Sequence, residues 1–200
     1  MKFSKTLTTI GALLLGLSLT SGAVTHADIN EDGKGGTTTA TVGLETDTDT
    51  NPLKLTEAPD FDFGAANKLD GGDQTLYTTS TGILQVLNPG YVAGWQVQVS
   101  GSPFLNGSTE LKGAELSLNG VVAPATGTAD NENKPVFTNG KINESATTIF
   151  KAAAGNGIGT WNTSFTADKS ASLYILGGNV PGSYKSTLNW TLINSADSAK

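Results

Sequence analysis

In Trp95-Gln96-Val97-Gln98-Val99 every second residue is apolar, and the same period returns in Leu188-Asn189-Trp190-Thr191-Leu192. A period of two puts Trp95, Val97 and Val99 on one side of an extended strand and the glutamines on the other. Around these two stretches lie further short apolar runs, among them PLKL, GILQVLNPG, AELSLNG and ASLYILGG, bounded by turn residues such as Gly, Asn, Pro and Ser. Runs of this length, rich in Val, Ile, Leu, Thr and aromatics, read as strands separated by turns. SLYIL is apolar on both faces and reads as a buried central strand. The expected fold is all-β, an antiparallel or mixed sandwich or barrel with long loops. At most one short helix is expected, with Ser145 as N-cap, Ala146 to Ala154 as body and Gly155 as stop. No repeat of fixed period is present.

The 200 residues divide by composition into three segments. Residues 1–27 read as a secretory signal peptide. Lys2 and Lys5 precede an apolar run around Leu13-Leu14-Leu15, and Thr25 and Ala27 stand where a signal peptidase requires small residues. Cleavage after Ala27 is expected, with Ala23 as the lesser alternative. Residues 28–51 are polar and low in aromatics, as a flexible lead-in would be. The β-domain is expected over 52–200.

Removal of the leader takes the only His, the only Met and two of the twelve lysines. There is no Arg and no Cys, so ten Lys then face eighteen Asp and Glu, 10 − 18 = −8. A secreted domain without Cys is held by its core and its strand pairing alone. The acidic balance opposes nucleic acid, whose phosphates require a basic face, and opposes anionic lipid.

The same absences narrow the chemistry. With neither Cys nor His, no thiol nucleophile, no Ser–His pair and no ordinary zinc site can be assembled. Asp28-Ile-Asn30-Glu-Asp32-Gly33 opens like a calcium loop, but its twelfth position is Thr39 rather than an acid. The ETDTDT run reads as a solvated acidic segment. Asp60 and Asp62 flank Phe61, a carboxylate pair that could in principle serve glycoside hydrolysis, but a wall hydrolase ranks far behind a binding module. No catalytic residue, cofactor or metal is expected, and the chain reads as a non-enzyme.

Retention on a cell would therefore fall to a binding surface. No Cys follows the leader for lipid attachment, NSADSAK is no sorting signal, and no further apolar run reaches the roughly 20 residues of a membrane span. Aromatic rings suit a glycan, because the electron-rich ring face meets the C–H face of a sugar. Trp95, Trp161 and Trp190 are the candidates, with Tyr91 and Tyr184 in support. By period alone Trp95 and Trp190 fit core packing better than ligand contact. Trp161, in GNGIGTWNTSF, is expected to be the most exposed of the three.

Two Trp-x-aliphatic motifs, Trp95-Gln96-Val97 followed by Phe104 and Trp190-Thr191-Leu192 preceded by Tyr184, give the chain a family likeness. With the opening segment PLKLTEAPDFDFG, it resembles the WxL-domain proteins, surface proteins of low-GC Gram-positive bacteria. The resemblance covers the mature chain, with its substance in 44–194, and departs from the pattern at Val97, where the family has Leu. It implies non-covalent attachment to peptidoglycan, with Trp95, Val97, Trp190 and Leu192 as the motif residues and Trp161 and Tyr184 as secondary candidates. It further implies association with other wall-linked or membrane-anchored surface proteins, and in some members with host matrix proteins. A structural or adhesive subunit is thus the alternative to a wall-binding module.

Overall fold

The computed structural model describes residues 28–29, 31–32, 34–47, 49, 52–125, 131–166 and 169–194; the leader expected at 1–27 lies outside the described residues. The chain divides into two compact units with the boundary between Leu44 and Glu45. In the first, β1 (Asp28–Ile29) and β2 (Gly36–Thr37) form a two-stranded antiparallel pair.

The second unit holds the remaining strands, β3 (Lys54–Glu57), β4 (Gln74–Tyr77), β5 (Gly82–Asn88), β6 (Trp95–Gly101), β7 (Leu105–Asn106) and β8 (Thr109–Glu110). They continue as β9 (Glu115–Leu118), β10 (Val121–Pro124), β11 (Val136–Phe137), β12 (Gly140–Ile142), β13 (Thr147–Ala152), β14 (Gly159–Phe165), β15 (Ala171–Ile175) and β16 (Leu188–Asn194). Three four-stranded sheets result, in the orders β10-β14-β5-β3, β11-β13-β6-β16 and β12-β9-β15-β4, with β7 and β8 as a small separate pair. Every strand pair is antiparallel. The all-β expectation holds, as stacked antiparallel sheets without closure into a barrel.

Alternation explains how the sheets meet. In β6 each odd-numbered residue from Trp95 to Gly101 is buried and each even one half-buried; β14 and β15 repeat the pattern. The inner faces of all three sheets feed one apolar cluster, including Leu84 and Val86 of β5, Val97 and Val99 of β6, Leu116 and Leu118 of β9, and Trp161 and Phe165 of β14. Burying one such large side chain contributes about 1.5–3 kcal/mol. The segment before β4 seals one side of the core. Phe61 packs edge-on against Phe165, with centroids 5.3 Å apart. A smaller cluster gathers Leu111, Leu173 and Ile175, with Phe104 and Tyr184 packed against it.

Two expectations fail in detail. The helix expected over Ala146 to Ala154 is strand β13, paired with β6. A bulge between Thr148 and Phe150 breaks its register, so Ile149 and Phe150 are buried in succession and the period of two is lost from the sequence. Gly155 does stop the element, but in a turn, with φ +80° and its N–H donated to the carbonyl of Val92. Trp161, expected at an exposed position, is buried at 1 % exposure in β14. The polar inward residue Thr163 and the glycines at 155, 157 and 159 disguise that strand as a loop.

Candidate functional site

Both Trp motifs lie in the sheet β11-β13-β6-β16, on adjacent strands running in opposite directions. The register pairs Val97 with Leu192 and Val99 with Trp190. Residues directly opposite in an antiparallel pair share a face, so Trp95, Val97, Trp190 and Leu192 all project from the inner side. The third residues of the two motifs meet, and the two tryptophans stand diagonally to either side of them.

Burial separates the four. Trp95 and Val97 are fully buried, whereas Trp190 and Leu192, on the edge strand, are half-buried and packed against the core. Trp95 meets Phe150 edge-to-face at 4.9 Å between centroids, a geometry worth roughly 0.5–1.5 kcal/mol beyond the area buried. Its indole N–H donates to the carbonyl of Gly157 at 3.1 Å, and that of Trp161 donates to Ile158 at 2.9 Å. Neighbouring carbonyls of one turn thus satisfy both buried indoles. Gly157 has φ +67°, and a Cβ there would stand 2.5 Å from the Cβ of Ala152 and 2.9 Å from the Trp95 Nε1. Gly94, at φ +83°, is held as closely: a Cβ would lie 2.5 Å from the Ala152 carbonyl.

The turn leading into β6 is fixed by a buried Asn88. Its Oδ1 accepts from the N–H groups of Gly90 and Tyr91, and its Nδ2 donates to the Tyr91 carbonyl. Tyr184 donates its hydroxyl to the Val180 carbonyl and joins Phe104 in the smaller cluster, while Leu105 and Lys185 exchange backbone hydrogen bonds. The accessory residues of the two motifs, Phe104 and Tyr184, are therefore brought to one place as well.

The opposite face of the motif sheet was not singled out from the sequence. Gln96 and Thr191, the free central positions of the two motifs, point outward there with Gln98, Ser100 and Asn189. Thr148 of β13 binds this row together, accepting from Gln98 Nε2 at 3.3 Å and lying 3.2 Å from Gln96 Oε1. The result is a strip of amides and hydroxyls, with Lys151 of β13 and Ile193 of β16 flanking Gln96 on the same face, able to exchange hydrogen bonds with a polar polymer. The polar residue at the centre of each motif was the signal that marks it.

Clefts open at either end of β16. One, of about 190 Å³, is lined by Ser102, Phe104, Glu110, Asn143 and Leu188. The other, of about 400 Å³, is lined by Leu53, Leu55, Tyr91, Leu192 and Asn194. Asp62 uses its carboxylate to accept the N–H of Gly64 at 2.8 Å, fixing a turn of its own segment. Among the described residues no group of three or more His, Cys, Asp or Glu is placed to hold a metal, and no helix is long and apolar enough to cross a membrane.

No curated protein and no solved structure matches the chain. A family model described as WxL domain, surface, cell wall-binding matches residues 35–195, a span that holds both Trp motifs, their sheet and the whole shared core. The chain belongs to the WxL-domain family of cell wall-binding surface proteins.

Proposed function

We propose that this is a non-catalytic protein, secreted with removal of residues 1–27 and held non-covalently on the peptidoglycan of a Gram-positive cell by its β-domain. The observation that carries this reading is the family match over 35–195. In it, Trp95, Val97, Trp190 and Leu192 act as packing residues. They clamp β6 to β16 and hold the strip of Gln96, Gln98, Thr148 and Thr191 on the outward face. Trp161 serves the core in the same way, and Tyr184 fixes the segment leading into β16.

The test is a pulldown of the chain from Asp28 to Lys200 on purified sacculi stripped of protein and teichoic acid. Saturable binding is expected. A folded protein that stays in the supernatant at every concentration would overturn the reading.

A second reading, an adhesive or structural subunit that binds other surface proteins or host matrix, is favoured by one feature. Strand β16 is an edge strand of seven residues that pairs only with β6 among the described residues. Such an edge can accept an extended segment of another protein by strand addition. Retention only on cells that carry a particular surface partner would identify this case.

A further inference from the structure

The sheet β12-β9-β15-β4 turns a different surface to solvent. On its outer side Tyr77 of β4 stands opposite Ser172 of β15, and Tyr174 of β15 stands opposite Thr75. The two tyrosines are therefore diagonal neighbours on one face, their backbones about 7–8 Å apart, a placement that lets a single extended ligand reach both. Tyr77 is 46 % exposed and Tyr174 half-buried. Two rings side by side on the solvent face of a sheet offer a paired aromatic surface to a ligand.

Their surroundings define the ligand. The Tyr174 hydroxyl donates to Asp73 Oδ2 at 2.6 Å, and Asp73 Oδ1 accepts the N–H of Gly177 at 2.8 Å. The ring is thus held in place before any ligand arrives, which removes part of the ordering cost of binding. Ser117, Ser172 and Thr75 border the rings with hydroxyls. Glu115 of β9 stands directly opposite Tyr174 on the same face and is paired with Lys141 at 2.6 Å. Lys169 reaches over Tyr77, with its ammonium 5.7 Å from the ring centroid. It is exposed and at the outer limit of such contacts, so a sugar ring stacking on Tyr77 would have to take its place. Aromatic faces bordered by hydroxyls and by the carboxylates of Asp73 and Glu115 match the alternating C–H faces and hydroxyls of a pyranose chain.

The geometry points to Tyr77 and Tyr174 as a stacking platform for a β-linked amino-sugar chain, the glycan strand of the wall. This rests on the wall-binding reading above and assigns its sugar contact to a sheet other than the one that carries the Trp motifs. Tyr77 and Tyr174 stack on sugar rings, and Asp73 is a positioning residue that sets the angle of Tyr174.

The test uses two probes, stripped sacculi and a soluble β1→4-linked N-acetylglucosamine tetramer, the latter followed by calorimetry and tyrosine ring NMR. Wild type is expected to bind both. Tyr77→Ala combined with Tyr174→Ala is expected to weaken tetramer binding roughly tenfold or more, with fold retained by circular dichroism because both side chains point outward. Tyr77→Phe, which keeps the stacking face, is expected to bind like wild type, and this rescue separates stacking from a structural loss. Wild-type binding to neither probe would overturn the wall-binding reading together with the platform. Binding to sacculi that the double alanine variant retains in full, or binding to sacculi but not to the tetramer, would overturn the platform and leave wall binding standing.

Discussion

Val97 and Leu192 stand directly opposite one another across β6 and β16, so the third residues of the two Trp motifs form a single cross-strand pair. What look like two separate signatures in the sequence are one packed unit in the fold. If the motifs served as two independent ligand contacts, their effects on stability would add. As a pair they should not. In a double-mutant cycle on Val97→Ala and Leu192→Ala, a coupling of about 0.5–1 kcal/mol is expected from urea unfolding. Strict additivity would show that the two residues do not support each other.

Restoring the family's leucine at the first motif is expected to harm this protein rather than improve it. Val97 is fully buried, with Phe150 beside it on β13 and Leu192 on β16. An extra methylene must find room among these buried neighbours, and overpacking of this kind costs about 1–3 kcal/mol. Thermal melting of Val97→Leu checks the sign. A variant of equal or higher stability would mean that the neighbouring strands yield more readily than their packing implies.

The turn that receives the indoles should be as sensitive as the indoles themselves. Trp95→Phe keeps an aromatic ring but leaves the Gly157 carbonyl without its donor, a loss of roughly 1–3 kcal/mol before any cavity is counted. Gly157→Ala meets a left-handed backbone and a crowded wall together, and is expected to cost at least about 1–3 kcal/mol. Denaturant midpoints for the two variants, read against Trp95→Ala at roughly 3–5 kcal/mol, give the ordering that decides.

Acid and alkali should each loosen Tyr174. The hydrogen bond from Tyr174, followed by that from Gly177, holds the Asp73 carboxyl below the ordinary aspartate value. A depressed folded-state pKa means that the stabilisation is present above the unfolded value and is lost as pH falls through the folded one. The hydrogen bond to Asp73 also raises the Tyr174 phenol above the ordinary tyrosine value. Its stabilising contribution is complete below that ordinary value and disappears as pH climbs through the raised one. NMR titration of the Tyr174 ring should therefore show a flat plateau across neutral pH with a change at each extreme. Asp73→Asn should abolish the acid-side change, and an acid-side change that survives it would assign the effect to another group.

How much of this was legible from the residues depends on one property, whether a strand's inner face is uniformly apolar. Strands β6 and β16 satisfy it, and their period of two and shared role can be read directly. Strand β13 does not, because its bulge buries Ile149 and Phe150 in succession and imitates a helical face. Strand β14 hides behind Thr163, a hydroxyl at a core position, so Trp161 looks like a loop residue when it is one of the most buried side chains. The outward tyrosines were out of reach for a different reason. Tyr77 and Tyr174 become neighbours only through the pairing of β4 with β15, and no local pattern encodes the register of strands so far apart. SLYIL, expected to be apolar on both faces, buries only one, and Ser172 and Tyr174 lie half-buried on the other; the sequence does not say which strands meet there.

The position of β6 between β13 and β16 sets the order in which this molecule can be finished. One neighbour of β6 arrives within some fifty residues, since Val97 pairs with Phe150, but the other is the last strand described, and Val97 waits 95 residues in sequence for Leu192. Closing so long a loop carries a large entropic cost before any contact repays it, and chains dominated by such pairings fold in milliseconds to seconds rather than microseconds. Until residues 188–194 are present, one flank of β6 has no strand to pair with, and the face holding Val97 and Val99 is incompletely covered. A chain that emerges N-terminus first would therefore remain unfinished, and its core would close only when the last strand described followed.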